Sequence, residues 1–582
     1  MKRLKTVLLL TVLFFTAVFF FFTSPIGRTD FWWHLNTGKW IATHGSLPQE
    51  DPFAYTTPAG PDDRKTLILK GYWLSQTAFY TVHRLSGFGG LVVFKGLLFT
   101  LLFYILFRSL LRGGLDPFIS MALIAPVVLL SARFEDVRPQ VFSFIGALLV
   151  FDLIEAGLAE LRAGLRPKAL MLLAPVMLLW ANLHKGFIVG YAVIGAYMLA
   201  ETLKRFLNPP PLPSYGRFLF YLSSALGASL LNPTHIMPLS INLPEIFGSP
   251  LVETTNEFMP PWRYAAEVGD MAWFYGLLAV SAVTLASIAV SLRRLSLPHA
   301  LLYAGFAVAG MWTFRFSIFF MLISVAISGR YSLRRLSGPL RKLSMPLAVL
   351  LCIAIFLLSY DRTFIRKGAL NERSLPVEAA DFIGSYKPPA PIFNPYEWGG
   401  YLSWRLYPDY KVFVDARTIN MGAHMDYKRA KFGDTAPVFD KYGINTVVFY
   451  YINPLYHDVP IVVISLLRDD AWQLRHIDRL SAIFVRKGQG APAVARPLRK
   501  GLMGKELMEG PPLNKEVLID RLRAIANSWA ARSPEAAGPY IILGELSYAS
   551  GDTDKAIRFF GKALELEPEN KRASAWLSAL RY

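Results

Sequence analysis

The chain has 582 residues, of which 53% are hydrophobic and 14% are aromatic. A chain of this length is expected to form several domains, and this composition excludes a protein that is soluble throughout. The formal net charge is +19, but the Lys and Arg residues lie in short clusters between apolar runs. That pattern is typical of the cytoplasmic loops of membrane proteins and argues against a nucleic-acid partner.

The N-terminal residues 1–5 are basic and lead into a long apolar run, as in a signal peptide. Because residues 23–28 offer no small-x-small cleavage site, we interpret this run as a retained first helix, with cleavage as the alternative. The single cysteine, Cys352, lies inside another apolar run, which excludes an intramolecular disulfide and a cysteine metal cluster.

About eleven transmembrane helices are predicted from the apolar runs. A spanning helix needs roughly 17–25 apolar residues, because the hydrocarbon layer is about 30 Å thick and a helix rises about 1.5 Å per residue. The predicted helices around 169–203 and 298–329 could instead form re-entrant hairpins. The eleven segments are 6–23, 88–107, 117–131, 140–158, 169–183, 186–203, 217–231, 271–292, 298–312, 315–329 and 343–360.

Charge asymmetry predicts the orientation of these helices. With the N-terminus in the cytoplasm, the basic clusters fall in the inner loops, and the long outer segment 232–270 holds a single basic residue, Arg263. An odd number of spans then places the chain from about residue 361 outside. We therefore expect a multi-pass protein of the inner (cytoplasmic) membrane of the bacterial cell envelope, with a periplasmic or extracytoplasmic C-terminal domain.

Four parts are predicted along the chain: a membrane domain over 1–360 with its first outer loop at 24–87, an outer domain over 361–490, a linker over 491–513 and a helical region over 514–582. Short β-branched or aromatic runs at 391–394, 411–415, 445–451 and 482–486 are predicted strands. They alternate with helix-like segments in 361–490, which predicts a small α/β domain with a partly parallel sheet.

The helical region has the residue spacing of a tetratricopeptide repeat. The pattern runs from Tyr540, Leu543 and Gly544 through Ala556, Phe560 and Ala563 to Pro568. One repeat cannot bury its own face, so we expect a neighbouring helix pair at about 515–533 and a capping helix at 570–581. This interpretation implies a surface for a protein partner; the alternative is a plain helical hairpin packed on the α/β domain.

The first outer loop holds the richest set of polar and aromatic residues. Asp30 follows the first helix within about two turns, a depth at which a carboxylate is expensive and therefore a functional hypothesis. Trp32 and Trp33 would either anchor the chain at the membrane interface or stack on a sugar or prenyl chain. Asp51 is a second acidic residue of this loop.

Other polar residues are predicted to lie at the same outer level. A planar guanidinium suits a phosphate group, so Arg138 or Arg315 is a candidate for binding a lipid-linked phosphate, with snorkelling to headgroups as the alternative. His34 and His184 could ligate a metal, but no spacing is diagnostic and hydrogen bonding within the bundle is the alternative. The remaining candidates for binding substrate are Glu135, Asn182, Asn232 and Glu257.

Several segments together resemble bacterial polytopic proteins related to the GT-C glycosyltransferases. The resemblance covers roughly residues 5–490. It rests on Asp30-x-Trp-Trp-His-Leu-x-Thr-Gly-x-Trp-Ile, Gly45-x-x-Pro48-x-x-Asp51-Pro-Phe-x-Tyr-Thr, Tyr72-Trp73-Leu74-Ser75, Arg138-Pro139-Gln140, Trp180-x-Asn182-x-His184-x-Gly186-Phe187, Asn232-Pro233, Glu257 before Pro260-Pro261, the run 396–401 and Asp415-Ala416-Arg417.

The resemblance implies a many-span fold with an acidic residue of the first outer loop as general base. It also implies a sugar donor on a polyprenyl phosphate and inversion at the anomeric carbon. We therefore predict a membrane glycosyltransferase that transfers a hexosyl or pentosyl group to an extracytoplasmic acceptor, with Asp30 as base and Asp51 as second acidic residue. The metal requirement is left open, with Mg²⁺ or Mn²⁺ as candidates.

Two other functional classes remain as alternatives. A non-catalytic assembly protein would bind lipid through its helices and dock periplasmic protein partners through its C-terminal domains. A transporter is disfavoured because the sequence has no inverted repeat and few ionisable residues at mid-bilayer.

Overall fold

The chain forms two compact units in a computed structural model. The first unit comprises Met1–Gln49 and Pro61–Asn371, and the second comprises Glu50–Gly60 and Glu372–Tyr582. The predicted linker 491–513 lies outside the described residues. The structure describes residues 2–27, 29–207, 212, 214–241, 256–331, 339–452, 459–488 and 515–581.

The first unit is helical throughout its described part. Its α-helices are α1 Lys2–Phe21, α2 Thr29–His44, α3 Asp63–Lys70, α4 Trp73–Arg112, α5 Pro117–Leu130, α6 Gln140–Arg162, α7 Lys168–Met171, α8 Leu173–Leu183, α9 Ile188–Leu207, α10 Tyr215–Ser229, α11 Pro261–Glu267, α12 Met271–Val290, α13 Leu297–Trp312, α14 Phe314–Ser328, α15 Pro339–Tyr360 and α16 Phe364–Lys367.

Every one of the eleven predicted spans coincides with helix in this unit. Within the described residues, seven helical stretches are long and apolar enough to cross a membrane, and three shorter apolar helices accompany them. The prediction of a polytopic α-helical membrane protein is therefore confirmed. The orientation of these helices relative to the cytoplasm stays a prediction.

Two glycines shape the helices of the first unit: one allows a kink within a helix, and the other allows two helices to pack closely. Gly87 has φ +64° and ψ −162° inside α4, so the helix kinks there and the predicted span begins at the next residue. At Gly146 on α6, a Cβ atom would lie 2.4 Å from the ring of Trp180 on α8. The missing side chain allows close packing of these helices, as is common between transmembrane helices.

The second unit is an α/β domain followed by helices. Its strands are β1 Ile392–Phe393, β2 Thr446–Tyr450, β3 Trp472–Ile477 and β4 Ser481–Arg486. They form one sheet in the order β1-β2-β4-β3, in which β1 and β2 are parallel and the other pairs antiparallel. Its α-helices are α17 Val377–Tyr386, α18 Gly399–Leu406, α19 Met421–Lys431, α20 Thr435–Lys441, α21 Ile461–Arg468, α22 Lys515–Arg532, α23 Gly538–Ala549, α24 Thr553–Leu566 and α25 Lys571–Arg581.

A short piece of the loop predicted over 24–87 belongs to this second unit. Val412 donates its N–H to Phe53 O at 2.9 Å, and Tyr55 donates its N–H to Val412 O at 3.2 Å. The Tyr55 hydroxyl reaches Ile392 O at 3.0 Å, and Asn420 Nδ2 donates to Thr56 O at 2.7 Å. The segment Glu50–Gly60 thus pairs with the α/β domain through its backbone, although more than 300 residues separate the two in sequence.

Helices occur where the C-terminal repeat was predicted, and α25 lies where the capping helix was expected. The helix pair predicted at about 515–533 is wrong, because this stretch forms the single helix α22. α23 and α24 form the central pair, and the ring of Phe560 lies 2.7 Å from the place where Gly544 would carry a Cβ. Ala556 and Ala563 are fully buried beside it. The small residues therefore allow the close crossing that was expected, while the assignment to the tetratricopeptide family stays a prediction.

Candidate active site

Asp30 is placed by α2, a helix that is mostly buried. Phe31, Trp32 and Leu35 are almost fully enclosed, and Trp33 is 7% exposed. The two tryptophans therefore pack inside the first unit, which does not fit the predicted interfacial belt. The indole N–H of Trp33 lies 3.4 Å from Asp30 Oδ1 and points this residue at the candidate base.

A chain of charges begins at Asp30. Its Oδ2 forms an ion pair with Arg138 Nη2 at 2.7 Å, and Arg138 Nη1 donates a hydrogen bond to Glu257 Oε1 at 2.7 Å. The side chains of Asp30, Arg138 and Glu257 are 23%, 16% and 28% exposed. Charged hydrogen bonds of this length are among the stronger ones, and Arg138 has one carboxylate on each side.

Arg315 ends this chain of charges with a looser contact. Its Nη1 lies 4.0 Å from Glu257 Oε2, and its guanidinium lies 5.6 Å from the ring centre of Phe258. Arg315 sits at the start of α14, directly after the end of α13. The structure thus brings together Asp30, Arg138, Glu257 and Arg315, four of the residues predicted from the sequence.

A fifth charged residue, Asp136, was not among the predicted site residues. Its Oδ1 accepts a bond from the N–H of Val137 at 2.8 Å, whereas its buried Oδ2 has no hydrogen-bond partner among the described residues. It lies in the turn between α5 and α6, two positions before Arg138. The acidic pair 135–136, in a short turn between two predicted helices, was the available sequence signal.

These neighbours set the protonation of the candidate base. Burial raises the pKa of Asp30 above its ordinary value, Arg138 opposes this rise, and the carboxylates of Glu257 and Asp136 add to it. The raised pKa makes Asp30 a stronger base than an exposed aspartate, because its charged form is less well solvated. Perturbed carboxyl groups in clefts are characteristic of functional sites.

The two predicted histidines are neutral at physiological pH. Burial lowers the pKa of His34 well below its ordinary value, and Arg138 and His184 add to this effect. Burial also lowers the pKa of His184, with Arg315 and Lys185 as further causes. His184 Nδ1 lies 2.5 Å from the Ser143 hydroxyl, and His34 Nδ1 lies 3.2 Å from Gln76 Nε2.

Two cavities adjoin the charges. A polar one of about 280 Å³ is lined by Arg133, Phe134, Asp136, Arg138, Gln140, Glu257, Phe314 and Arg315. A larger, mostly apolar one of about 570 Å³ is lined by Gln140, His184, Lys185, Gly186, Ile188, Val189, Phe258, Arg315, Phe316 and Phe319. Arg315 and Gln140 line both, so a cationic group stands where the polar and apolar spaces meet.

Three predicted substrate-binding residues make internal contacts instead. Glu135 pairs with Arg362. Asn182 accepts a bond from Trp73 Nε1 at 2.9 Å and donates to Leu178 O at 2.9 Å. These contacts hold the turns that surround the charges.

Asn232 is the third of these residues. Its Oδ1 accepts bonds from Thr234 N at 2.8 Å and Thr234 Oγ1 at 2.7 Å, and its Nδ2 donates to Ser229 O at 2.7 Å. This is the geometry of an Asx turn, which orders the chain after α10.

Asp51, the second predicted acidic residue, belongs to the second unit. Both of its oxygens bind Arg417, at 2.7 and 3.0 Å, and Arg417 also binds Asp415. All three side chains are at most 4% exposed. The structure thus gives Asp51 a salt bridge within the α/β domain.

The charges of the site do not suit a divalent cation. Such an ion requires several carboxylate oxygens converging on one point. Here the guanidinium of Arg138 already lies between Asp30 and Glu257, and no group of three or more His, Cys, Asp or Glu residues that could hold a metal occurs among the described residues. Among the described residues, Arg138 and Arg315 supply the positive charge beside Asp30 and Glu257.

The comparison with solved structures assigns the fold. The chain is 14% identical to the Archaeoglobus fulgidus oligosaccharyltransferase tethered to an acceptor peptide containing the NVT sequon, with a TM-score of 0.51 over 77% of this chain and 69% of that chain. The apo form of the same oligosaccharyltransferase is 13% identical, with a TM-score of 0.50 over 79% of this chain and 71% of that chain. The chain is 13% identical to ArnT from Cupriavidus metallidurans bound to undecaprenyl phosphate. The TM-score is 0.45, and the match covers 84% of this chain and 99% of that chain.

No protein-family model matches the sequence, and no curated protein does. At these identities the likeness to the oligosaccharyltransferase concerns the fold alone. Together with the apolar helices and the small sheet of the second unit, it shows that this chain is a multi-pass membrane protein with the fold of the GT-C glycosyltransferases.

Proposed function

We propose that the protein is a membrane glycosyltransferase that moves a hexosyl or pentosyl group from a polyprenyl-phosphate donor to an extracytoplasmic acceptor. The observation that carries this proposal is the chain of charges from Asp30 to Arg315 at the rim of an apolar cavity. A lipid-linked sugar phosphate combines a long apolar tail with an anionic group, and this arrangement matches both.

Asp30 acts as the general base in this reaction. The acceptor hydroxyl passes its proton to an Asp30 oxygen while its own oxygen forms a bond to the anomeric carbon. The bond from that carbon to the phosphate oxygen breaks, and the electron pair leaves with the polyprenyl phosphate. Attack from the face opposite the leaving group inverts the anomeric carbon.

Arg315 binds the phosphate of the donor, and Arg138 orients the base. Arg138 has a carboxylate at 2.7 Å on each side, so its bonding capacity serves Asp30 and Glu257. Arg315 has its carboxylate neighbour at 4.0 Å and lines the apolar cavity. A guanidinium that is less strongly paired is better suited to take the charge that develops on a leaving phosphate.

The remaining residues bind the sugar and the acceptor. Trp33 contacts the base through its indole N–H and positions it, while neutral His34 and His184 can donate or accept one hydrogen bond at each free ring nitrogen. Lys185 beside Arg315 adds positive charge to the head of the apolar cavity. Lys185 was not among the predicted site residues, because a lone lysine at a membrane boundary has no distinctive spacing.

Replacing Asp30 with Asn tests the role of the base. Purified protein in lipid nanodiscs would be given radiolabelled hexosyl and pentosyl polyprenyl phosphates and a membrane extract as acceptor. We expect transfer to fall by about 10² or more, the usual contribution of general-base catalysis. Asp63→Asn, an exposed acidic residue of the same loop, is the matched control; transfer retained by Asp30→Asn would contradict the role of Asp30.

A non-catalytic assembly function remains the second candidate, because the helices from Lys515 to Arg581 resemble a protein-binding repeat. It would retain its partners and its effect on the cell when Asp30 is changed. The same variant in living cells therefore separates the two functions.

A further inference from the structure

A third cavity, of about 260 Å³, lies within the α/β domain of the second unit, where no role has been assigned. It is lined by Asp51, Ala54, Thr56, Thr57, Phe413, Val414, Asp415, Arg417, Thr418, Ile419, Asn420 and His424. Cavities for drug-sized ligands measure roughly 300–1,000 Å³. That volume includes space open to solvent, so this cavity is much smaller than those and would receive one edge of a small ligand without enclosing it.

The charged groups of this cavity exclude an anionic ligand. Asp51 and Asp415 carry two negative charges against the single positive charge of Arg417, and all three are buried. The net charge of this group is therefore −1. An anion placed beside it would be repelled without solvent to screen the repulsion.

A cationic ligand is disfavoured because the carboxylate oxygens are already in use. Asp51 Oδ1 accepts bonds from Phe53 N and Arg417 Nη1, and Asp51 Oδ2 accepts bonds from Thr57 Oγ1 and Arg417 Nη2. A carboxylate has about four such positions, so those of Asp51 are filled. The two oxygens of Asp415 likewise accept four bonds, from the backbone N–H, Nε and Nη2 of Arg417, so their positions are filled as well.

What the cavity still offers is neutral polar groups beside apolar ones. His424 is 8% exposed, its ring lines the cavity, and its Nδ1 has no hydrogen-bond partner in the part of the chain that the structure describes. Burial lowers the pKa of His424 to about 4, with Lys428 and Lys431 adding to the effect, so the ring is neutral. A buried polar atom without a partner costs about 1–3 kcal/mol unless a ligand or water satisfies it.

The hydroxyls that line the cavity with His424 have hydrogen-bonding capacity left for a ligand. Thr56 Oγ1 donates to Phe413 O at 2.6 Å and Thr57 Oγ1 donates to Asp51 Oδ2 at 2.7 Å, which leaves the lone pairs of both hydroxyls as acceptors. Ala54, Phe413 and Ile419 supply the apolar part of the wall. Neutral acceptors next to an apolar surface fit a molecule with hydroxyl groups on a carbon ring.

We propose that this cavity is a binding site for a neutral saccharide unit, with His424 as its central hydrogen-bonding residue. The site goes beyond the proposed transfer reaction, since it lies in the α/β domain and does not involve Asp30. It gives the second unit a binding role of its own, for a glycan that carries no charge on the bound ring.

Saccharide binding to the full-length protein in nanodiscs tests this proposal. The probes are the methyl glycosides of glucose, mannose, galactose, N-acetylglucosamine and arabinose, observed by saturation-transfer NMR and titrated to saturation. We expect saturable binding of at least one probe, and a loss of affinity of about tenfold in His424→Phe, which keeps a ring but removes the nitrogen atoms. Met425→Phe, at an exposed position of the same helix, is the matched control and should bind as the parent does.

His424→Asn distinguishes a lost contact from a lost fold, because the asparagine amide can place a polar atom where His424 Nδ1 lies. We expect it to restore most of the affinity. Asp30→Asn should bind the probe normally, so failure of the transfer reaction and failure of this site give different results. Equal affinity in His424→Phe and the parent, or no saturable binding of any probe, would overturn the proposal.

Discussion

Arg417 binds both carboxylate oxygens of Asp51, at 2.7 and 3.0 Å, although 366 positions separate them in the sequence. The same guanidinium binds Asp415 at 2.6 Å. This pairing joins the segment Glu50–Gly60 to the α/β domain. Asp51 therefore has a structural partner of its own, although it belongs to the same sequence loop as Asp30. Buried ion pairs of this kind are sensitive to the loss of one partner.

Removing Arg417 should cost far more stability than removing Asp51. Arg417→Gln leaves two buried carboxylates without a cation and is expected to cost about 3–5 kcal/mol, whereas Asp51→Asn leaves the pair Arg417–Asp415 intact and costs less. Thermal unfolding of the purified variants measures the difference, with Arg405→Gln, a partly exposed arginine of the same domain, as control. Equal melting temperatures for the Arg417 and Asp51 variants would contradict this account.

The isolated fragment 361–582 should be unstable unless residues 50–60 are supplied. The fragment lacks Asp51 and the backbone of Phe53 and Tyr55, so it loses the pairing with Val412 and leaves Arg417 with one carboxylate. Fusion of residues 50–60 through a flexible linker is expected to raise its melting temperature and its protection from hydrogen exchange near Val412.

A fused segment carrying Asp51→Ala serves as the control for that experiment, and it should give a smaller gain. If the bare fragment and the fusion melt at the same temperature, the loop segment is not an integral part of the domain. The result also decides how a search for protein partners of the second unit should be made, since an unstable fragment binds nonspecifically.

The helices were predictable because the bilayer imposes a simple requirement on their length and polarity. All eleven predicted segments are helical, and even the kink at Gly87 coincides with a predicted boundary. Strand β3 was not predicted, because Trp472–Ile477 contains Gln473 and Arg475 and lacks the apolar run of β2. The predicted strand at 411–415 is instead a single bridge between Ala54 and Val412.

The sequence predicted which residues belong to the site better than it predicted the role of each residue. Asp30, Arg138, Glu257 and Arg315 were all candidates, but the sequence cannot tell that Arg138 is held by two carboxylates and Arg315 by a weaker contact. Long-range pairing also decides which polar residues are internal. Glu135 looked like a site residue and pairs with Arg362, a partner 227 positions away.

Arg315 and Arg138 should differ in how their loss affects the reaction. Arg315→Gln is expected to raise KM for a polyprenyl-phosphate sugar about tenfold, since it removes a charged hydrogen bond to the donor while the folded structure stays intact. Arg315→Lys should recover part of this loss by restoring the charge without the planar fork. Arg138→Gln should mainly lower kcat, because it frees Asp30 from its partner.

The control for these arginine variants is Arg263→Gln, since Arg263 is exposed on α11 and pairs with Glu267 outside the chain of charges. Steady-state kinetics at several donor concentrations separates the two parameters. An unchanged KM in Arg315→Gln would remove this residue from the phosphate-binding role.

The dependence of transfer on pH should reveal the neighbours of Asp30. A general base works only when deprotonated, so kcat/KM is expected to rise with pH through the raised pKa of Asp30 and to level off above it. Because the charge of Glu257 raises this pKa, Glu257→Gln should move the rising limb to lower pH. Because Arg138 lowers it, Arg138→Gln should move the limb to higher pH.

Glu257→Gln and Arg138→Gln are thus expected to shift the pH profile of kcat/KM in opposite directions. General destabilisation of the site would instead shift both profiles in the same direction, or would only lower their plateau. Glu267→Gln, at a half-exposed position on α11, is the control and should leave the limb in place. The profiles are measured over the pH range in which the circular dichroism of each variant stays constant. A limb that stays at the same pH in Glu257→Gln and Arg138→Gln would mean that the titrating group is not Asp30, because both side chains contribute directly to its charge environment.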